Sequence, residues 1–221
     1  MGAGRNRAQV ARLAGVTDLP ELPPGAFARV DEGDDGAFYA PARLVTHIDE
    51  GAIGALGDFY ARVLPSGGVL LDLMSSWVSH LPDDLAVTEL VGHGMNAAEL
   101  AANPRLTESF VQDLNRDPEL PLVDARFDGA MCCVSVQYLQ QPVEVFAEVR
   151  RVLKPGAPFV VSFSNRCFPT KAVAIWRALD LNGHASLVHL YLQRAGFTDV
   201  AVRPLADGRY SDPLIALVGH A

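Results

Sequence analysis

The chain has 221 residues, a formal charge of −8, an isoelectric point near 5.1, 49% hydrophobic residues and 20% charged ones. That is a globular balance, and it argues against a phosphate-neutralising surface, because nucleic-acid affinity is carried by clustered Lys and Arg. No apolar run approaches the roughly 20 residues needed to cross a bilayer, and the opening MGAGRNRAQVARLAGV has no continuous apolar signal core, so the expectation is a cytoplasmic protein with no nucleic-acid or membrane partner.

Residues 1–35 alternate Pro, Gly and acidic clusters and read as a loosely ordered arm, its DEGDDG run simply solvated. Between 41 and 64, Leu44, Ile48, Ile53, Leu56, Phe59 and Val63 recur at helical spacing with Asp49 as an internal cap, which gives one kinked helix or two. After PSGG the pattern changes to short apolar runs. Strands are expected at 69–73, 86–92, 109–114, 127–134 and 159–163, and two more in DVAVRPL and PLIALVGHA. Helices are expected in NAAELAAN, in PVEVFAEVRRVL, where Val143, Phe146, Val149 and Leu153 share a stripe, and in TKAVAIWRALD and ASLVHLYLQRAG. Such alternation signals a parallel sheet with crossover helices. The last two strands are joined only by ADGRYSD, too short for a crossover, so they pair antiparallel. Three cysteines, two of them adjacent (Cys132 and Cys133), give neither a disulfide framework nor metal-ligand spacing and read as buried apolar residues.

A mostly parallel sheet closed by one antiparallel strand resembles the class I S-adenosylmethionine-dependent methyltransferases, an α/β Rossmann-like fold with seven strands. The resemblance runs from about residue 69 to 221: VLLDLMSSW stands at the family's first strand and cofactor turn, LVGHGMNAAEL at the second, FVQDLN at the third, and FDGAMCCVSVQYLQQPVEVFAEVRRVLKPGAPFVVSFSN at the fourth strand, helix and fifth strand. RVLKPG is its most specific piece: basic residues sit at the negative pole of a helix, and a Pro-Gly turn then delivers the chain to a buried strand. The resemblance implies residues 1–64 as arm and helical cap, and 65–221 as the methyltransferase-like domain. It also implies S-adenosylmethionine as cofactor, S-adenosylhomocysteine as product, and a small molecule as substrate of a monomer or homodimer.

The cofactor turn departs from the family. Met74, Ser76 and Val78 occupy its glycine positions, whose role is steric. Asp72 matches the acidic residue at the strand end. Gly94, with His93 before and Asn96 after, stands where an acidic residue would clasp the ribose hydroxyls. Ser75, Ser76, Trp77 and Asn96 are the candidate replacements, and Asp113 with Leu114 matches the adenine end.

Methyl transfer needs an in-line nucleophile and exclusion of water, with a base optional. The histidines suited to that task are His47, His80 and His93, with His47 and His80 the leading catalytic candidates beside Tyr138; any of them can equally be a surface or structural residue. Gln137 and Tyr138 in VSVQYL can orient a substrate or belong to the core. Asn165 and Arg166 in SFSNRCFPTK emerge at the same edge, with Arg166 suited to a carboxylate or phosphate, although the loop can also serve to cap a helix through Thr170. No metal site is expected. Two readings stay open: a small-molecule methyltransferase, or a catalytically inactive methyltransferase-like protein that binds another ligand or a protein partner.

Overall fold

The computed structural model describes residues 19–221, so MGAGRNRAQVARLAGV and the first half of the expected arm lie outside the described residues. Seven strands form one sheet: β1 Gly68–Leu73, β2 Val87–Gly94, β3 Glu108–Val111, β4 Gly129–Cys133, β5 Pro158–Ser164, β6 Thr198–Ala206 and β7 Leu214–His220. Their spatial order is β3-β2-β1-β4-β5-β7-β6. The first five are parallel, and β7 runs antiparallel to both β5 and β6. The hairpin follows from the shortness of its connection, as its sequence requires. Six helices accompany the sheet among the described residues: α1 Asp35–Tyr39, α2 Glu50–Val63, α3 Ala97–Ala102, α4 Pro142–Val152, α5 Ala174–Ala178 and α6 Leu181–Arg194.

The central strands read as continuous apolar runs because both faces are covered. Leu71 and Leu73 of β1 pack with Val143, Phe146 and Val149 of α4 and Leu187, Val188 and Tyr191 of α6 on one face. Leu70 joins Ala52, Leu56, Phe59 and Tyr60 of α2 on the other. Each of these large side chains contributes about 1.5–3 kcal/mol by leaving water.

Several element ends differ from expectation for local reasons. The helix expected over 41–64 begins only at Glu50, where the Asp49 carboxylate accepts the Ala52 N–H at 2.9 Å. Leu44 and Val45 fall outside it and are exposed. Where the expected arm of residues 1–35 ends, α1 begins, capped by Asp34. β3 stops at Val111, and Asp113 turns the chain by accepting the Asn115 N–H at 3.0 Å. β4 stops at Cys133, since Val134 has φ 43°, a conformation that no strand continues. Thr170 caps nothing: α5 starts at Ala174 with Val173 at the cap position and no side-chain bond.

Candidate functional site

Strand order reverses between β1 and β4, and ligands in open α/β sheets gather at the carboxyl edge of such a switch point. A cavity of about 580 Å³ lies there, within the range of small-molecule sites. Its floor is built from Asp72 and Met74 after β1, Gly94 after β2, Asp113 and Leu114 after β3, and Val134 and Ser135 after β4. Its roof comes from the N-terminal segment (Asp35, Tyr39, Arg43, His47), and one wall from Arg166 and Phe168 after β5.

The roof is anchored by charge. Asp35, buried, receives a two-pronged bond from Arg29 at 2.8 and 2.6 Å, a Lys171 ammonium at 2.9 Å and the Asn115 amide at 3.0 Å. Burial alone would raise its pKa, but these donors hold it below the ordinary carboxylate value. Lys171 is fully buried and also meets Asp31 and the Gly33 carbonyl. Arg43 lies over the rings of Phe38 and Phe168, and its own N–H donates to Glu99 at 2.7 Å.

The turn after β1 is polar yet open. Met74 sits at φ 56°, the left-handed conformation a glycine adopts freely, and His80 at φ 54°; such strain in residues other than glycine clusters at functional sites. Ser75 Oγ donates to Asp72 at 2.6 Å and Ser76 Oγ to Glu99 at 2.6 Å. Asp72 is buried, and desolvation pushes its pKa up to about 7 against the bonds from Ser75 and Ser79. His80 is pushed down to about 4, first by desolvation and then by nearby His47, which desolvation also lowers. Both imidazoles are therefore neutral near pH 7. Six carboxylates and two arginines line the cavity, so its charge favours a cationic ligand even after Asp35 is answered by its own partners.

Residues 74–161 match the methyltransferase domain family. The fold is that of the class I methyltransferases. Over 72% of its length it is 27% identical to a malonyl-[acyl-carrier protein] O-methyltransferase from Marinomonas sp., covering 50% of that protein. The chain spans half or less of the length of the curated relatives it matches. The fold is shared with an S-adenosylmethionine-dependent methyltransferase from Thermotoga maritima (TM-score 0.58, 15% identity, 76% of this chain and 89% of that one). It is also shared with Haemonchus contortus phosphoethanolamine N-methyltransferase 2 in complex with S-adenosyl-L-methionine (TM-score 0.55, 12% identity, 76% and 52%).

The cavity brings together most of the residues singled out by sequence: His47, Asp72, Ser75, Ser76, His80, Gly94, Asn96, Asp113, Leu114, Tyr138 and Arg166. Trp77, Gln137 and Asn165 stand apart from its lining. The Trp77 indole N–H donates to the Val45 carbonyl at 3.0 Å and so braces the roof loop. Gln137 is buried and donates to the Val134 carbonyl at 2.7 Å. Asn165 accepts from Ser164 at 3.2 Å. Asn96 lines the cavity, but its amide is spent: Oδ1 accepts from Ala98 and Glu99, and Nδ2 donates to the Tyr39 and Ala40 carbonyls. The Tyr138 hydroxyl accepts from the Phe168 N–H at 2.8 Å, and burial pushes its pKa up to about 12. His93 is buried with both ring nitrogens engaged, which removes it as a base.

Sequence reasoning missed Arg43, Glu99, Phe168 and Asp212. Glu99 had a signal, since Asn96-x-x-Glu99 has the spacing of a capping box, but its carboxylate turns to Ser76 and Arg43 instead. Asp212 had none. It exchanges backbone-to-carboxylate bonds with Asp49 at 3.1 and 2.6 Å and accepts from Arg166 Nε at 3.0 Å, contacts that only the tertiary fold creates.

Proposed function

We propose that the chain is an S-adenosylmethionine-dependent methyltransferase acting on a small molecule. The observation that carries this reading is the open, net-acidic cavity at the switch point: despite Met74, Ser76 and Val78, the turn leaves about 580 Å³ bounded by Asp72 and Asp113. The donor set fits a sulfonium nucleoside. Asp113 keeps acceptor capacity beyond its single bond to Asn115, buried Leu114 gives an apolar surface for a base, and Glu99 supplies the carboxylate that position 94 lacks. Arg43 and Arg166 supply positive charge for a carboxylate. When bound, the cofactor supplies an electrophilic methyl group.

The chain's own residues do the rest. The roof held by Arg29, Asp35 and Lys171 excludes water from the reacting atoms. His47 and His80, neutral near pH 7, can accept a proton from an acceptor hydroxyl or amine. Tyr138 keeps its proton and can donate a hydrogen bond to orient the acceptor. A cavity of this size, once shared with a nucleoside, has room for a small acceptor only. The similarity to a malonyl-[acyl-carrier protein] O-methyltransferase supports an acyl compound with an acceptor oxygen as one acceptor class, and the Arg166 guanidinium suits one that carries a carboxylate.

Calorimetric titration with S-adenosylhomocysteine tests the reading. The wild-type chain should give saturable heat at one site, and Asp113→Ala should bind about tenfold more weakly, the loss of about one hydrogen bond. No heat from the wild type would favour the second reading, a fold that holds another ligand. The specific observation behind that alternative is the missing carboxylate at Gly94.

A further inference from the structure

We infer that His93 is the positioning residue that sets the turn after β1, and that Gly94 restores the steric freedom which Met74, Ser76 and Val78 take away. The inference rests on the cofactor reading for its ligand, but the geometry stands by itself. His93 makes three bonds around the turn. Its Nδ1 accepts the Met74 N–H at 3.1 Å, its carbonyl accepts the Ser75 N–H at 2.6 Å, and its Nε2 lies 2.9 Å from the Gln112 carbonyl. A carbonyl can only accept, so Nε2 carries the proton and Nδ1 is left as the acceptor that the Met74 amide requires. One neutral tautomer therefore ties the ends of β1, β2 and β3 together at the cavity floor.

The close approach that results has a steric consequence. A Cβ at position 94 would lie 2.6 Å from the Ser75 carbonyl oxygen and 3.1 Å from Leu100 Cδ2, and the first of these is backbone that cannot swing aside. Any side chain at 94, a carboxylate included, would push the turn away from β2. The glycine has moved from the turn itself to the strand tip beneath it, and the missing carboxylate is the consequence of that move. Met74 at φ 56° is held in its left-handed conformation by the same two amide bonds.

The test separates positioning from general support by using the two amides that each copy half of the ring. His93→Asn keeps an acceptor near Nδ1 and loses the donor to Gln112; His93→Gln keeps a donor near Nε2 and loses the acceptor for Met74. Each variant and Gly94→Ala is measured for amide exchange at Met74 and Ser75 and for S-adenosylhomocysteine affinity, with global unfolding as control. The inference predicts that His93→Gln and Gly94→Ala exchange the Met74 amide at least tenfold faster and bind tenfold or more weakly. His93→Asn should stay within about threefold of wild type in both, although its global stability falls as much as that of His93→Gln. Equal exchange and affinity in the two amide variants would overturn it. Should the wild type show no heat at all, the cofactor reading falls, and the exchange rates alone decide whether the ring sets the turn.

Discussion

At the scale of single residues, the site is governed by burial of groups that would rather be charged. Asp72 lies at the end of β1 on the face covered by α2, and its pKa of about 7 exceeds the ordinary carboxylate value. Between pH 4 and 7 the unfolded chain releases that proton while the folded chain keeps it, so stability contributed by Asp72 is present at low pH and lost as pH rises to about 7. Asp72→Asn keeps the acceptor for Ser75 and removes the titration. Its unfolding free energy relative to wild type should climb across that window by an amount on the order of 4 kcal/mol, read by urea titrations at pH 4.5 and 8; a flat difference would contradict the assignment. His80 and His93 act in the opposite sense. Their pKa values of about 4 lie below that of free imidazole, so the stability they contribute is present above about pH 6.5 and lost as pH falls through 4.

At the scale of elements, what the sequence revealed was local. Period-two and continuous apolar runs located the seven strands, RVLKPG marked the end of α4 before β5, and the short ADGRYSD connection dictated the antiparallel hairpin. Asp49 was legible as a cap because capping is decided within three residues. The roof was not legible, since α1 has only five residues and is held by Lys171 from a loop more than a hundred positions away. Nor was the commitment of Asn96, whose side chain looks available until the tertiary fold brings Tyr39 and Ala40 to it. That double duty is testable: Asn96→Ala should cost about 1–2 kcal/mol through the lost cap of α3 and should loosen the roof, seen as faster amide exchange around Ala40. A change in stability without any change at the roof would show that the two roles are separate.

At the scale of the whole molecule, the N-terminal segment is held over the sheet edge by a buried ionic cluster, Arg29, Asp35 and Lys171, beside the Trp77 and Asn96 bonds to the roof. Removing Lys171 takes one of two cations from buried Asp35 and leaves Arg29 and Asn115 to hold it, and breaking a buried ionic cluster is more damaging than never having had it. Lys171→Met should therefore cost on the order of 3 kcal/mol and expose the roof to proteolysis near Arg29; an unchanged melting temperature and cleavage pattern would mean that the cluster does not hold the cover down. No helix among the described residues is long and apolar enough to cross a membrane, and the net charge of −8 matches the acidic cavity in favouring cationic ligands. The whole account comes down to what fills that cavity. A crystal grown with S-adenosylhomocysteine should show the nucleoside between the 74–76 turn and Asp113 with the turn unmoved, and density for the ligand anywhere else, or a Met74 side chain folded into its place, would contradict it.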